Sequence, residues 1–205
     1  IGGLLPCFLL LFAPRSLLIA SSSILARILS RSVRAGAEGP MDSVRIVEVG
    51  PRDGLQNEPT LKQLPLDQLV DLRVRFITML ARSGLTDVEA GAFVRADRVP
   101  TMAGTDLVLK KLQSEHTDLW QKRRFWTLVP NRKGLELALK AGARHLSVFT
   151  ATSDAFNLKN IQMTVAESLA QLKPLVEEAR QAGLQVRGYV STVWGCPYSG
   201  RVPPE

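Results

Sequence analysis

The sequence is short of cysteine, short of acid at its start, and without an apolar run long enough to cross a bilayer; each shortage removes a class of protein. Its two cysteines, Cys7 and Cys196, lie far apart in unlike contexts. They form no disulfide framework and no C-x-x-C zinc pattern, which points to a reducing compartment. The early apolar stretch is interrupted by Arg15, well short of the about 20 residues that a membrane helix needs. No G-x-G-x-x-G follows the first strand pattern, so a dinucleotide-binding fold loses its main signal.

What is present is ordinary globular composition, 45% hydrophobic and 22% charged, in a chain long enough for one domain with a real core. There are 26 Lys and Arg against 19 Asp and Glu, a formal charge of +7, and a pI near 9.8. The excess does not gather into a stripe. One short run, Lys122-Arg123-Arg124, has Trp120 and Trp126 on either side, so base stacking is conceivable. It reads instead as a solvated approach to a strand. An anionic small substrate needs a few placed cations rather than a basic face, and neither nucleic acid nor membrane is expected as a partner.

Residues 1–40 carry Arg15, Arg27, Arg31 and Arg34 against Glu38 alone, with serines at 16, 21–23, 30 and 32. Acid-poor, Arg- and Ser-rich and amphipathic is the pattern of a mitochondrial transit peptide. A secretory signal is disfavoured: Pro6 and Pro14 confine the apolar core, and the arginines follow it rather than precede it. Met41 stands just before the first patterned strand and could itself be the initiator. Residues 1–40 are therefore expected to be a disordered leader or upstream read-through. The location is the mitochondrial matrix, or the cytoplasm if Met41 is the start.

From residue 41 to 205 strand and helix patterns alternate. Strands are expected over 44–50, 86–93, 125–129, 145–150 and 186–192. Between them, helices are expected over 64–83, 105–112, 133–140 and from a capping box, Thr164-x-x-Glu167, to Gly183. Pro174 inside the last should kink or split it. The strands at 47–50 and 88–91 also echo each other, Val-Glu-Val-Gly against Val-Glu-Ala-Gly. Five βα units mean an α/β protein with a parallel sheet, doubly wound or a (β/α)₈ barrel. The repeat favours the barrel, and since a closed one needs eight strands, the expectation is a (β/α)₈ TIM barrel truncated to about its first five βα units.

Barrel enzymes gather their chemistry at the C-terminal ends of strands, where two polar clusters fall. Pro51-Arg52-Asp53-Gly54-Leu55-Gln56-Asn57-Glu58 follows strand one. Its Arg and Asp offer an oxyanion partner and a hard oxygen ligand for a divalent cation. They could equally be a turn with a capping Asp and a paired Arg. Glu89 lies on strand two among apolar residues, where an inward carboxylate is costly without a partner. A buried ion pair, with Arg52 itself, is the structural alternative.

The run from Val47 to Glu58 resembles the opening segment of the 3-hydroxy-3-methylglutaryl-CoA lyases. The resemblance continues through Glu89–Phe93, Val99-Pro100-x-Met102, Pro130-Asn131-x-Lys133-Gly134 and Ser153-Asp154-x-Phe156-x-x-Lys159-Asn160. It ends in Arg187–Ser191 and Gly195-Cys196-Pro197-Tyr198-x-Gly200, covering nearly all of 44–202. The resemblance implies a metal-dependent barrel lyase that cleaves 3-hydroxy-3-methylglutaryl-CoA to acetyl-CoA and acetoacetate, in leucine catabolism and ketone-body formation. The implied cofactor is a divalent cation, Mg²⁺ or Mn²⁺, and the partner an acyl-CoA, with a homodimer left open for the full-length protein. By motif match Asp53 is a metal ligand, and Arg52 steadies the thioester oxygen and binds substrate. Glu89 orients Arg52 or the substrate, and Gln56 contacts substrate from a loop that Asn57 helps to shape.

The departures are as informative. The family's other metal ligands include a His-x-His pair on a later strand, whereas this chain has only His116, in a polar and solvated stretch, and His145, at the start of strand four in a structural position. Cys196 matches an earlier Gly-Cys-Pro-Tyr occurrence rather than the catalytic-cysteine loop, and is read as a structural thiol. With one metal ligand in hand, residues 41–205 alone are expected neither to bind Mg²⁺ usefully nor to turn over substrate. The alternatives are a non-catalytic truncated isoform, and a related synthase acting on an acyl-CoA and a 2-oxo acid.

Overall fold

The computed structural model describes residues 45–203; the expected leader over 1–40, Cys7 and the Met41 start lie outside them. Among the described residues there are five strands: β1 (Val47–Glu48), β2 (Asp87–Ala92), β3 (Arg124–Leu128), β4 (His145–Ala151) and β5 (Gln185–Ser191). Every neighbouring pair is parallel, and the sheet order is β1-β2-β3-β4-β5. An order that follows the sequence without reversal is that of the barrel; a doubly wound sheet reverses at its switch point. The fold is the barrel arrangement through five consecutive units, as the alternating pattern predicts.

Six α-helices connect the strands: α1 (Leu66–Arg82), α2 (Thr105–Glu115), α3 (Thr117–Lys122), α4 (Arg132–Lys140), α5 (Asp154–Ile161) and α6 (Val165–Gln181). Two of them, α3 and α5, escaped the periodicity reading because each is too short to show a full apolar stripe. His116 sits half-buried at the junction of α2 and α3, with backbone torsions of −132° and 48°, while Ser114, Glu115, Thr117 and Asp118 around it are exposed. The apolar spacing that marks α1 in the sequence, Leu69, Leu72, Phe76, Met79 and Leu80, coincides only in part with the face the helix buries. Leu72 and Met79 are exposed, and the buried stripe is Leu69, Val70, Arg73, Val74, Ile77 and Ala81.

The helix ends follow local chemistry. The Asn131 side chain accepts from Gly134 N at 3.0 Å and caps α4. The Thr164–Glu167 capping box opens α6 as expected. Pro174 does not split that helix, which runs unbroken to Gln181. Pro174 and Ala170 are both exposed, so the carbonyl that loses its donor at Ala170 can be hydrated.

The two faces of the sheet differ in kind. Toward the helices lies the apolar core, including Val70, Ile77, Val88, Val108, Leu112, Phe125, Leu135 and Leu146. The opposite, inner face carries Asp87, Glu89, Trp126, Ser147, Arg187 and Tyr189. Glu89 is in register with Trp126 and Ser147 with Arg187, and partners in a parallel ladder share a face. The register also dissolves the repeat between strands one and two. Glu48 pairs with Val88, so it lies on the face opposite Glu89 and is bound by Gly50 N at 2.6 Å. The two glutamates are not equivalent.

Candidate active site

The segment after β1 closes at once into a single wide helical turn, Gly50–Gly54. The Val49 carbonyl accepts from Arg52 N at 3.1 Å, Asp53 N at 2.7 Å and Gly54 N at 3.4 Å. Pro51 suits the start of this turn because its missing N–H would have no partner there. A Cβ on Gly50 would stand 2.9 Å from Glu48 Oε1, so that carboxylate would have to move from its bond to Gly50 N. The turn sends Arg52 back over the strand ends, where its Nε donates to Glu89 Oε2 at 2.7 Å and its Nη1 to Asp53 Oδ1 at 2.7 Å.

Glu89 has no exposure at all. Its Oε2 also accepts from the Tyr189 hydroxyl at 2.9 Å, which in turn accepts from Arg187 Nη2. Arg187 Nη2 lies 3.6 Å from Glu89 Oε1 and 3.4 Å from Ser147 Oγ, with its guanidinium over the rings of Trp126 and Tyr189. Arg52 lies over the other side of this cluster, 5.6 Å from the Tyr189 ring centre. Burial works against the charge on Arg52, but the charge and hydrogen bond of Glu89 outweigh it and hold the guanidinium firmly protonated. Burial, and then the Glu89 charge, push Tyr189 up to about 12, so it is a hydrogen-bond donor at neutral pH.

The sheet thus brings Arg52, Asp53 and Glu89 together, and the Arg52–Glu89 pair is present as the structural alternative supposed. Gln56 stands further along the loop, held through its backbone carbonyl by Thr101 Oγ1 at 2.9 Å. The sequence motifs alone give Arg187 and Tyr189 no role. The signal was there: an Arg-x-Tyr alternation puts two polar side chains on one face of a barrel strand.

The family profile named HMGL-like matches residues 43–205. The chain belongs to this family. Among HMGL-like relatives, the hydroxymethylglutaryl-CoA lyase of Pseudomonas mevalonii is 47% identical over 165 residues, 80% of this chain and 51% of that protein. The crystal structure of hydroxymethylglutaryl-CoA lyase from Pseudomonas aeruginosa superposes with a TM-score of 0.69 at 41% identity, covering 79% of this chain and 50% of that one. An Acinetobacter baumannii HMG-CoA lyase, solved in complex with coenzyme A and 3-methylmalate, gives 0.66 at 33% identity over 82% of this chain and 51% of that one. Other relatives are named mitochondrial or cytoplasmic. The chain spans about half the length of the curated relatives it matches.

Within this HMGL-like frame the remaining polar residues divide cleanly. Among the described residues no three His, Cys, Asp or Glu side chains group as a cation would need. His145 packs against Trp126 with ring centres 5.2 Å apart. Burial and the nearby Arg124 charge depress it to about 4, which suits a neutral structural residue. Cys196 is buried in a short antiparallel bridge with Gly200, and its thiol accepts from Ser153 Oγ at 3.0 Å. Burial raises that thiol, but hydrogen bonds from Ser153 and Ser199 outweigh it and bring it to about 7. Trp120 and Trp126 are both buried, so no base could stack on them. Arg124, from the basic run between them, is engaged with Asp87 rather than free in solvent.

Proposed function

We propose that this chain forms part of the active site of a hydroxymethylglutaryl-CoA lyase. The observation that carries the reading is the wholly buried Glu89, which fixes Arg52 at the strand ends through a 2.7 Å ion pair. Arg52 has five N–H donors, and the bonds to Glu89 and Asp53 use two. The others can meet the thioester oxygen of an acyl-CoA as the carbon–carbon bond breaks and charge moves onto that oxygen. Such a preorganised donor is worth about 3–4 kcal/mol in a transition state. A general base takes the tertiary hydroxyl proton, the bond between C2 and C3 of the acyl chain breaks, acetoacetate departs, and the acetyl-CoA enolate takes up a proton at C2 from the conjugate acid of that base or from water. Glu89 orients Arg52, Tyr189 and Arg187 hold Glu89, and Gln56 faces substrate from the first loop.

A Mg²⁺ or Mn²⁺ requirement belongs to the proposal through Asp53, whose carboxylate is 61% exposed with Oδ1 already bound to Arg52. A Mg²⁺ site takes one or two carboxylates completed by substrate oxygens and water, and the described residues supply this one. They do not by themselves make a cation site, and the roles above do not depend on one. A matrix or cytoplasmic location and a homodimer are likewise part of the proposal for the whole protein.

The test is product analysis with the complete gene product, 3-hydroxy-3-methylglutaryl-CoA and added Mg²⁺ or Mn²⁺. Stoichiometric acetyl-CoA and acetoacetate are expected, formed about 10²–10³-fold more slowly by Arg52→Gln. Condensation of an acyl-CoA with a 2-oxo acid in place of cleavage would refute the lyase reading. The 205-residue chain assayed alone is expected to show no turnover.

A further inference from the structure

Arg73 is the largest side chain without exposure among the described residues, and it sits on α1 against the outer face of the sheet, behind the site. No carboxylate pairs with it among the described residues. Instead its Nη1 donates to the Ala103 carbonyl at 2.9 Å, and its Nη2 to the Ala90 carbonyl and to Thr105 Oγ1, each at 3.0 Å. Burial lowers it to about 10, which still leaves it charged at neutral pH. An apolar side chain of similar volume would fill the same space without the desolvation cost of a charge.

What the guanidinium holds accounts for its presence. The pairing of β2 with β3 runs Glu89↔Trp126 and then Gly91↔Thr127, so Ala90 is an extra residue without a partner across the ladder. A bulge of this kind leaves a backbone group to be satisfied and re-aims the side chains beside it. Arg73 takes the Ala90 carbonyl. It can approach because the next residue is glycine: a Cβ on Gly91 would lie 2.2 Å from Arg73 Nη2 and 2.7 Å from Thr105 Oγ1. The same guanidinium grips Ala103 and Thr105, which follow the loop whose Thr101 binds the Gln56 carbonyl.

We propose that Arg73 is a positioning residue: from outside the barrel it pins the bulge at Ala90, and so fixes how the adjacent Glu89 presents its carboxylate to Arg52 and Tyr189. Its kinetic consequence rests on the lyase reading above; its structural consequence does not. Tyr189 is one of two tyrosines in the chain, so ¹³Cζ-tyrosine labelling gives two resonances that Tyr189→Phe assigns. Arg73→Met is expected to retain its far-UV circular dichroism while the Tyr189 ionisation moves down by about one pH unit or more, as Glu89 swings away. In the complete gene product kcat is expected to fall by up to about a hundred-fold with KM little changed, and Arg73→Lys is expected to restore part of both. A folded Arg73→Met with an unmoved Tyr189 overturns the proposal, as does a shifted Tyr189 with unaltered kcat. Should Arg73→Met not fold, Thr105→Val, which removes one of the three acceptors, decides by the same resonance: a smaller shift in the same direction supports, none overturns. A wild-type protein without lyase turnover would sink the functional reading and leave Tyr189 to decide this one.

Discussion

Asp87 and Glu89 stand two residues apart on one face of β2, both without exposure, and differ in how fully their oxygens are met. Asp87 Oδ1 accepts from Arg124 Nε at 2.6 Å and Trp126 Nε1 at 2.8 Å, and Oδ2 from Arg124 Nη2 at 2.7 Å and Thr86 Oγ1 at 2.8 Å. Glu89 places both of its bonds on Oε2, while Oε1 and the nearby Arg187 Nε have no hydrogen-bond partner. A saturated carboxylate can only hold a structure together. One with an unused oxygen, midway along β2, keeps capacity for something else. On the lyase proposal, the difference separates an architectural ion pair from one that serves the reaction, on a single strand.

The largest way to break the comparison is Arg52→Gln. At the open carboxylate it is expected to lower turnover by about 10²–10³-fold, the loss of one preorganised oxyanion donor. It also leaves buried Glu89 with a weaker partner, so a stability loss of about 1–3 kcal/mol in urea denaturation is expected alongside. A folded variant with near-normal turnover would remove Arg52 from the chemistry. At the closed carboxylate, Asp87→Ala strips Arg124, Trp126 and Thr86 of their common acceptor. It is expected to cost about 3 kcal/mol and to leave any kinetic effect secondary to unfolding.

The pH dependence of stability sharpens the contrast further. Burial raises Asp87, but hydrogen bonds from Arg124, Trp126 and Thr86 outweigh it and hold the carboxyl at about 2, below its ordinary 3.8. Its contribution is therefore complete above 3.8 and lost as pH falls toward 2. His145 is depressed from 6.5 to about 4 by burial and the Arg124 charge. The unfolded chain protonates there first, so stability drops as pH falls from 6.5 toward 4. Two separate acid losses are expected in a pH series of denaturation midpoints, the upper removed by His145→Gln and the lower by Asp87→Asn. A single unresolved loss in both variants would contradict the assignment.

How much of this was legible in the sequence depends on which neighbours a residue needs. Strand order, the turn after β1 and the capped helices follow from local patterns, and Arg52 with Asp53 follows from a motif at a strand end. Glu89 was legible as an anomaly, a carboxylate in an apolar strand, because burial of charge is expensive whatever its partner. Its actual partners were not. Tyr189 lies 100 residues away in sequence, and only the β4–β5 register brings it to the site. The bulge at Ala90 was hidden because one inserted residue leaves no mark on an apolar run. The repeat of strands one and two suited the barrel but says nothing of side-chain placement, since a register offset by one places Glu48 and Glu89 on opposite faces.

Tyr189→Phe is the finest probe of the open carboxylate. It keeps the ring beneath the Arg52 and Arg187 guanidiniums and removes only the hydroxyl that donates to Glu89 Oε2 at 2.9 Å. One hydrogen bond to a charged acceptor is worth about 1.5–3 kcal/mol, but Arg187 already stands 3.6 Å from Oε1 and can close on Glu89 once the hydroxyl is gone. The expected net loss is therefore at the bottom of that range or below, about 1 kcal/mol, with turnover reduced far less than by Arg52→Gln. If Tyr189→Phe proved as damaging to turnover as Arg52→Gln while stability held, Tyr189 would be acting on substrate directly. The cluster would then be a pair of reaction groups sharing one carboxylate, rather than one reaction group and its support.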